Sequence, residues 1–128
     1  MSKGIKYRAF VERFKKMYDI KIIDFIKEKV YFDEDTYRHF NEIDLMQYTG
    51  LLDIDGKEIY EGDIVRINNK TEDIGKVLFE DYGFSIETAD DSYWLSDFLS
   101  KDLFVLGNIY ENPELLGEQE WLHLKWKN

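Results

Sequence analysis

Twenty-seven of the 128 residues are Asp or Glu, so clustered carboxylates are the first candidates for chemistry. Asp33-Glu34-Asp35, Glu72-Asp73, Asp90-Asp91 and the Glu118/Glu120 pair bring acids together in sequence. Such groups can hold Mg²⁺ or Mn²⁺ and activate water for phosphodiester hydrolysis. In a chain this acidic they also arise from composition alone, and a solvated face is the favoured reading. Asp53-Ile54-Asp55-Gly56-Lys57-Glu58 resembles a calcium loop in outline, but its glycine follows two acids rather than three and no acid closes the loop in register. An Asp-Gly hairpin turn is the better reading. The histidines, His39 and His123, have no ligand spacing, and no cysteine is present to supply a thiolate ligand, a nucleophile or a disulfide. The sequence contains no Gly-x-Ser-x-Gly, no phosphate-cradling glycine loop and no dinucleotide fingerprint. No catalytic residue, cofactor or metal ligand is assigned; a metal-dependent nuclease is the residual enzymatic reading.

A second constellation is basic and aromatic. Lys3, Lys6, Arg8, Arg13, Lys15 and Lys16 interleave with Tyr7, Phe10 and Phe14. Cations beside stacking rings suit contact with single-stranded nucleic acid, which makes Lys6, Arg8, Arg13, Lys15 and Lys16 candidate contacts. Residues 1–30 hold nine Lys and Arg against four acids, a balance of +5, and residues 31–128 hold eight against 23, a balance of −15. The net −10 opposes nonspecific binding to nucleic acid or anionic lipid. Docking of the basic head on the acidic body, or on a neighbouring subunit, is therefore favoured over a nucleic-acid partner, and no membrane partner is expected. The acidic body also permits a third role, inhibition of a host protein by mimicry of a nucleic-acid surface. At the far end, Trp121 and Trp126 lie within six residues of each other. They are candidate interface residues, packing on the chain or on another subunit.

The elements that must position these residues read as short strands. Ile5, Tyr7 and Ala9 alternate with Lys6, Arg8 and Phe10, and residues 20–26 are β-branched and aromatic. A helix over residues 8–18 stays open, because Phe10, Val11, Phe14, Met17 and Tyr18 also fit helical spacing. Residues 33–42 read as an exposed acidic loop and residues 43–48 as extended. Asp55-Gly56, Glu61-Gly62-Asp63 and Asp81-Tyr82-Gly83 are turn signals between apolar runs. Residues 90–92 read as loop, and residues 94–99 as a short helical turn with Ser92 as its cap. Leu103 to Leu106 reads as a buried strand stopped by Pro113, the one proline. This spacing predicts a mainly β fold, with a β-rich α+β arrangement as the alternative. A β-rich segment over residues 1–50, with a short helix as its alternative, precedes a small antiparallel SH3-like barrel within residues 51–113, and residues 114–128 form a helix or tail. The N-terminal strands pair with the barrel or take part in oligomerisation. The N-terminus lacks the apolar core of a signal peptide. No apolar stretch approaches the roughly 18 to 20 residues that span a bilayer. A bacterial cytoplasm is the expected compartment.

Two long blocks are distinctive. Residues 45–65 read Leu-Met-Gln-Tyr-Thr-Gly-Leu-Leu-Asp-Ile-Asp-Gly-Lys-Glu-Ile-Tyr-Glu-Gly-Asp-Ile-Val, and residues 107–115 read Gly-Asn-Ile-Tyr-Glu-Asn-Pro-Glu-Leu. With Ile5-Lys6-Tyr7-Arg8-Ala9-Phe10, they make the chain similar to the YopX family of phage and prophage proteins over residues 5–115. Val11 and Phe14 depart from the polar, turn-forming stretch usual there. The resemblance implies a phage or prophage origin, a host-bacterial cytoplasm, a β-rich fold and self-association. It implies no activity and no site residues. A self-associating accessory protein that binds a host or phage protein is the expected function.

Overall fold

The structure, a computed structural model, describes residues 4–68 and 73–117. It is mainly β, as the residue pattern predicts, and the chain divides into two compact units, Met1–Tyr48 and Thr49–Asn128.

The first unit is built on β1 (Tyr7–Val11), β2 (Lys16–Asp19) and the start of β6 (Ile43–Leu52). β1 pairs with β2 on one side and β6 on the other, both antiparallel. This central position decides between strand and helix. Extended, Arg8 to Val11 are all buried, and the pairing overrides a helical spacing that has no comparable surface to bury. Residues 12–15 turn the chain, with Lys15 at φ +52° and Phe14 half-exposed at the tip. A second antiparallel meander follows, β3 (Ile22–Asp24), β4 (Lys29–Tyr31) and β5 (Tyr37–His39). Side chains build its turns: Asp24 Oδ1 accepts from the Ile26 and Lys27 N–H groups at 3.0 and 2.9 Å. Asp33 Oδ1 accepts from Asp35 and Thr36, both at 2.8 Å. Those bonds hold the Asp33 carboxyl below the usual carboxylate range, the Asp35 N–H contributing most. The expected acidic loop over residues 33–42 is thus only partly loop. Tyr37–His39 pairs with β4, and Phe40–Glu42 makes a 3₁₀ turn.

The second unit contains the end of β6, β7 (Glu58–Tyr60), β8 (Asp63–Ile67), β9 (Ile74–Glu80), β10 (Gly83–Thr88), β11 (Ser92–Trp94) and β12 (Leu103–Asn108). The last five form one antiparallel sheet in the order β11-β10-β9-β8-β12. This fits the small β barrel expected from the turn spacing. β9 and β10 join through Asp81-Tyr82, with Asp81 at φ +54°. At Asp55-Gly56 only Gly56 takes positive φ, +83°. The type I′ turn that needs both is therefore replaced by a longer loop closed by the Asp53 N–H on the Lys57 carbonyl at 2.8 Å. Ser92 does not cap a helix. It lies in β11, and the following 3₁₀ turn, Leu95–Asp97, starts at Trp94 without a side-chain cap. The core gathers Ile59, Val65, Val77, Ile86, Leu95 and Leu103, with Phe84, Tyr93 and Phe98 packed against it. After Pro113–Leu116, a 3₁₀ turn, the chain passes to residues outside the described set, Trp121 and Trp126 among them. Among the described residues no helix is long and apolar enough to cross a membrane.

Candidate functional site

Among the described residues the acidic clusters do not converge; Glu72, Glu118 and Glu120 lie outside that set. Among the described residues no three His, Asp or Glu side chains are placed to share a metal ion. Asp33 spends its oxygens on its own turn. The Asp53 carboxylate, the start of the calcium-loop resemblance, accepts three backbone N–H bonds, the opposite of what a cation requires.

The basic head divides along β1. Lys6 lies just before the strand, its Nζ 5.8 Å from the Tyr48 ring. Arg8 is 8% exposed within β1. The others surround the β1–β2 turn. Arg13 lies 5.8 Å from the Phe14 ring, Lys15 pairs with Glu12 at 3.0 Å, and Lys16 lies 5.6 Å from Tyr18, which stacks on Phe32 at 4.7 Å. The structure adds two cations that sequence reasoning passed over. Arg38 of β5 sits 4.8 Å from the Phe14 ring, and Lys29 sits 4.1 Å from the Tyr37 ring. The alternation Tyr37-Arg38-His39 was their one signal, and the surrounding acids obscured it.

The second unit carries two adjoining depressions, both bordered by Trp94. One is a groove of about 580 Å³. Its walls are largely apolar: Leu51, Tyr82, Phe84, Trp94, Leu95 and Phe98. Phe84 meets Phe79 edge-on at 5.0 Å, and Tyr93 meets Phe98 edge-on at 5.8 Å. Tyr82 is 98% exposed at the β9–β10 turn, and Trp94 is 50% exposed. The other depression is a recess of about 210 Å³ lined by Glu80, Asp81, Ser85, Ser92, Tyr93 and Trp94. Ser85 pairs across the sheet with Trp94. It is 6% exposed, and its Oγ has no hydrogen-bond partner. A serine nucleophile needs a base within hydrogen-bonding reach, and Ser85 has none. Burial, followed by the carboxylates of Asp91, Asp73 and Asp90, pushes the Tyr93 hydroxyl above its usual range. The pair sets flat apolar walls beside a negative recess.

A family model described as YopX protein matches residues 6–117. This chain belongs to the YopX family. It is similar to protein EF1440 from Enterococcus faecalis, 28% identical, with a TM-score of 0.70 over 88% of this chain and 97% of that one. It shares its fold with protein YopX from Bacillus subtilis, 23% identical, with a TM-score of 0.60 over 88% of this chain and 98% of that one. No protein with a curated description matches.

The blocks by which the sequence resembles YopX proteins are turn builders. Asp53 Oδ1 accepts from Asp55 and Lys57 at 2.9 and 2.8 Å, while Oδ2 reaches Val105 N–H at 3.0 Å. Ile54 N–H donates to the Leu103 carbonyl at 2.9 Å, and Ile109 N–H to that of Gly62 at 2.8 Å. Asn108 Oδ1 accepts from Tyr110 and Glu111 at 3.0 and 2.8 Å. Gly107 leaves room for Asn112, whose Oδ1 lies 2.4 Å from where a Cβ would stand. The two blocks, far apart in sequence, fasten one to the other through β8 and β12. They define a fold, and of their residues Thr49, Gly50 and Leu51 also border the groove.

Proposed function

We propose that this YopX-family chain is a phage- or prophage-encoded accessory protein that works in the bacterial cytoplasm as a self-associating protein-interaction module, without a catalytic step. The observation that carries this reading is the aromatic groove around Tyr82 and Trp94. Large solvent-facing aromatic side chains grouped beside a depression are characteristic of surfaces that other chains cover. Multi-angle light scattering over a concentration series tests the assembly. A mass above one chain that rises to a plateau is expected, and a strict monomer at the highest concentration refutes it.

A second reading has its own observation. Arg13 and Arg38 both approach the Phe14 ring, and Lys29 lies over Tyr37. Cations and rings in alternation are what a single strand of nucleic acid stacks on. Fluorescence anisotropy with labelled single- and double-stranded oligonucleotides should show affinity that falls with salt and weakens in R13E and R38E. Absence of binding at low salt ends this reading.

A further inference from the structure

We propose that the acidic recess and the aromatic groove on either side of Trp94 together receive the C-terminal segment, residues 121–127, of a second copy of this chain. The inference rests on the self-association reading and names its contact.

The recess asks for a cation that also brings a hydrogen-bond donor. Glu80 and Asp81 are both exposed, and no described cation pairs with either. Ser85 Oγ, buried at the floor, lacks a hydrogen-bonding partner. An unsatisfied buried hydroxyl costs free energy until something bonds to it. A primary ammonium neutralises the carboxylates and lies against the Trp94 ring as a cation–π partner, and the Ser85 Oγ, closed to solvent, is open to it only when the side chain turns toward the recess. The groove beside it asks for a large apolar side chain. Residues 121–127 read Trp-Leu-His-Leu-Lys-Trp-Lys. Leu122, Leu124 and Trp126 alternate with His123, Lys125 and Lys127. Laid out as a strand, such a segment presents apolar groups to one side and cations to the other. β11, which contributes Trp94, is the edge of its sheet. An extended segment added along an edge gains main-chain hydrogen bonds, and its alternate side chains enter the depressions that flank the edge. Charge selects the same occupant. Residues 49–128 hold seven Lys and Arg against 18 acids, and two of those seven are Lys125 and Lys127.

The test uses the full chain in four forms: wild type, E80K/D81N, K125E/K127E, and E80K combined with K125E. Glu80 and Asp81 are exposed, and Asn tolerates the positive φ of Asp81, so folding is not at risk. Light scattering should give an assembled wild type, at least about tenfold weaker association in each charge-reversed form, and recovery in the swapped form. An equimolar mixture of E80K/D81N with K125E/K127E should associate more than either alone, because one intact tail meets one intact recess. Assembly unchanged in E80K/D81N and K125E/K127E overturns this contact while leaving self-association standing. Failure of the swapped form to recover overturns it as well. A wild type that is monomeric throughout overturns both readings.

Discussion

Replacing Asp53 by Ala should destabilise the second unit far more than any exposed acid can. Asp53 is 3% exposed and satisfies three backbone N–H groups. Two of them, on Asp55 and Lys57, belong to exposed residues, and water can replace the carboxylate there. The third, Val105 N–H, lies in a buried stretch of β12 and gains no substitute. Leaving it unsatisfied costs about 1–3 kcal/mol, and the lost charge-assisted bonds at the loop add about 1–2 kcal/mol. A total of about 2–5 kcal/mol is a large share of an ordinary domain's 5–15 kcal/mol. In urea, with a mid-range slope of about 2 kcal/mol/M, the midpoint should fall by roughly 1–2.5 M. D53N should be little better, because its amide nitrogen would face the Val105 donor or give up the loop donors. D55A, at an exposed position of the same loop, should move the midpoint by less than about 0.3 M. The reasoning fails if D53A and D55A unfold at the same urea concentration.

Three further expectations can be checked on the same scale. G107A places a Cβ 2.4 Å from Asn112 Oδ1 and 2.9 Å from Asn112 Cβ, so the whole side chain must move. A loss of about 1–3 kcal/mol is expected, and a double-mutant cycle with N112G should recover part of it; strict additivity would refute the clash. G75A meets Ile86 Cγ2 at 2.7 Å and the Glu87 carbonyl at 2.8 Å; because the second contact is backbone, its cost of about 1–3 kcal/mol in urea unfolding should persist in an I86A background, which removes Cγ2, and its disappearance there would refute the backbone clash. Asp33 is held ionised by donors on Asp35 and Thr36. Because its folded pKa is depressed, its contribution is complete above the unfolded value and disappears as pH falls through the folded one. Urea midpoints between about pH 5 and pH 2 should therefore fall more steeply for wild type than for D33N; parallel curves would count against it.

Where residue type controls local geometry, the fold was legible. The hairpin at Asp81-Tyr82 and the bend at Gly56 follow from which backbone angles those residues permit, whereas β12 ends at Asn108, where the Asn108 side chain turns the chain, and Pro113 opens a 3₁₀ turn five residues later. The β1–β2 hairpin was less so, because Phe10, Val11, Phe14, Met17 and Tyr18 satisfy two periodicities at once, and only the flanking strand β6 separates them. β5 and β11 were illegible for a different reason. Each has three residues, too few for alternation to register, and each lies beside an acidic run that reads as loop. The candidate site inherits that blindness. Ser85 is an ordinary strand residue until β11 brings Trp94 across from it. Asp53 reads from the sequence only as part of the run before the Asp55-Gly56 turn, and its bond to Val105, 52 residues away, has no trace in local sequence.

This difference in legibility bears on where function can reside. The residues that make the chain recognisable as a YopX protein, Asp53, Gly62, Gly107, Asn108 and Asn112, have their polar groups or their limited space committed to each other. A group bonded on all sides has nothing left to offer a partner, so the family signature reports stability. The groups that the fold leaves unspent are the Ser85 hydroxyl, the Glu80 and Asp81 carboxylates, and the faces of Tyr82 and Trp94, and these are the ones the proposed interaction would use. Glu80, Asp81 and Tyr82 lie at the β9–β10 turn and Trp94 on the edge strand, where substitution costs the core least, while Ser85 lies buried within β10. On the proposed interaction reading, substitutions at residues 80–82 and 94 should change partner binding more than substitutions at Asp53, Asn108 or Asn112 that leave the fold intact.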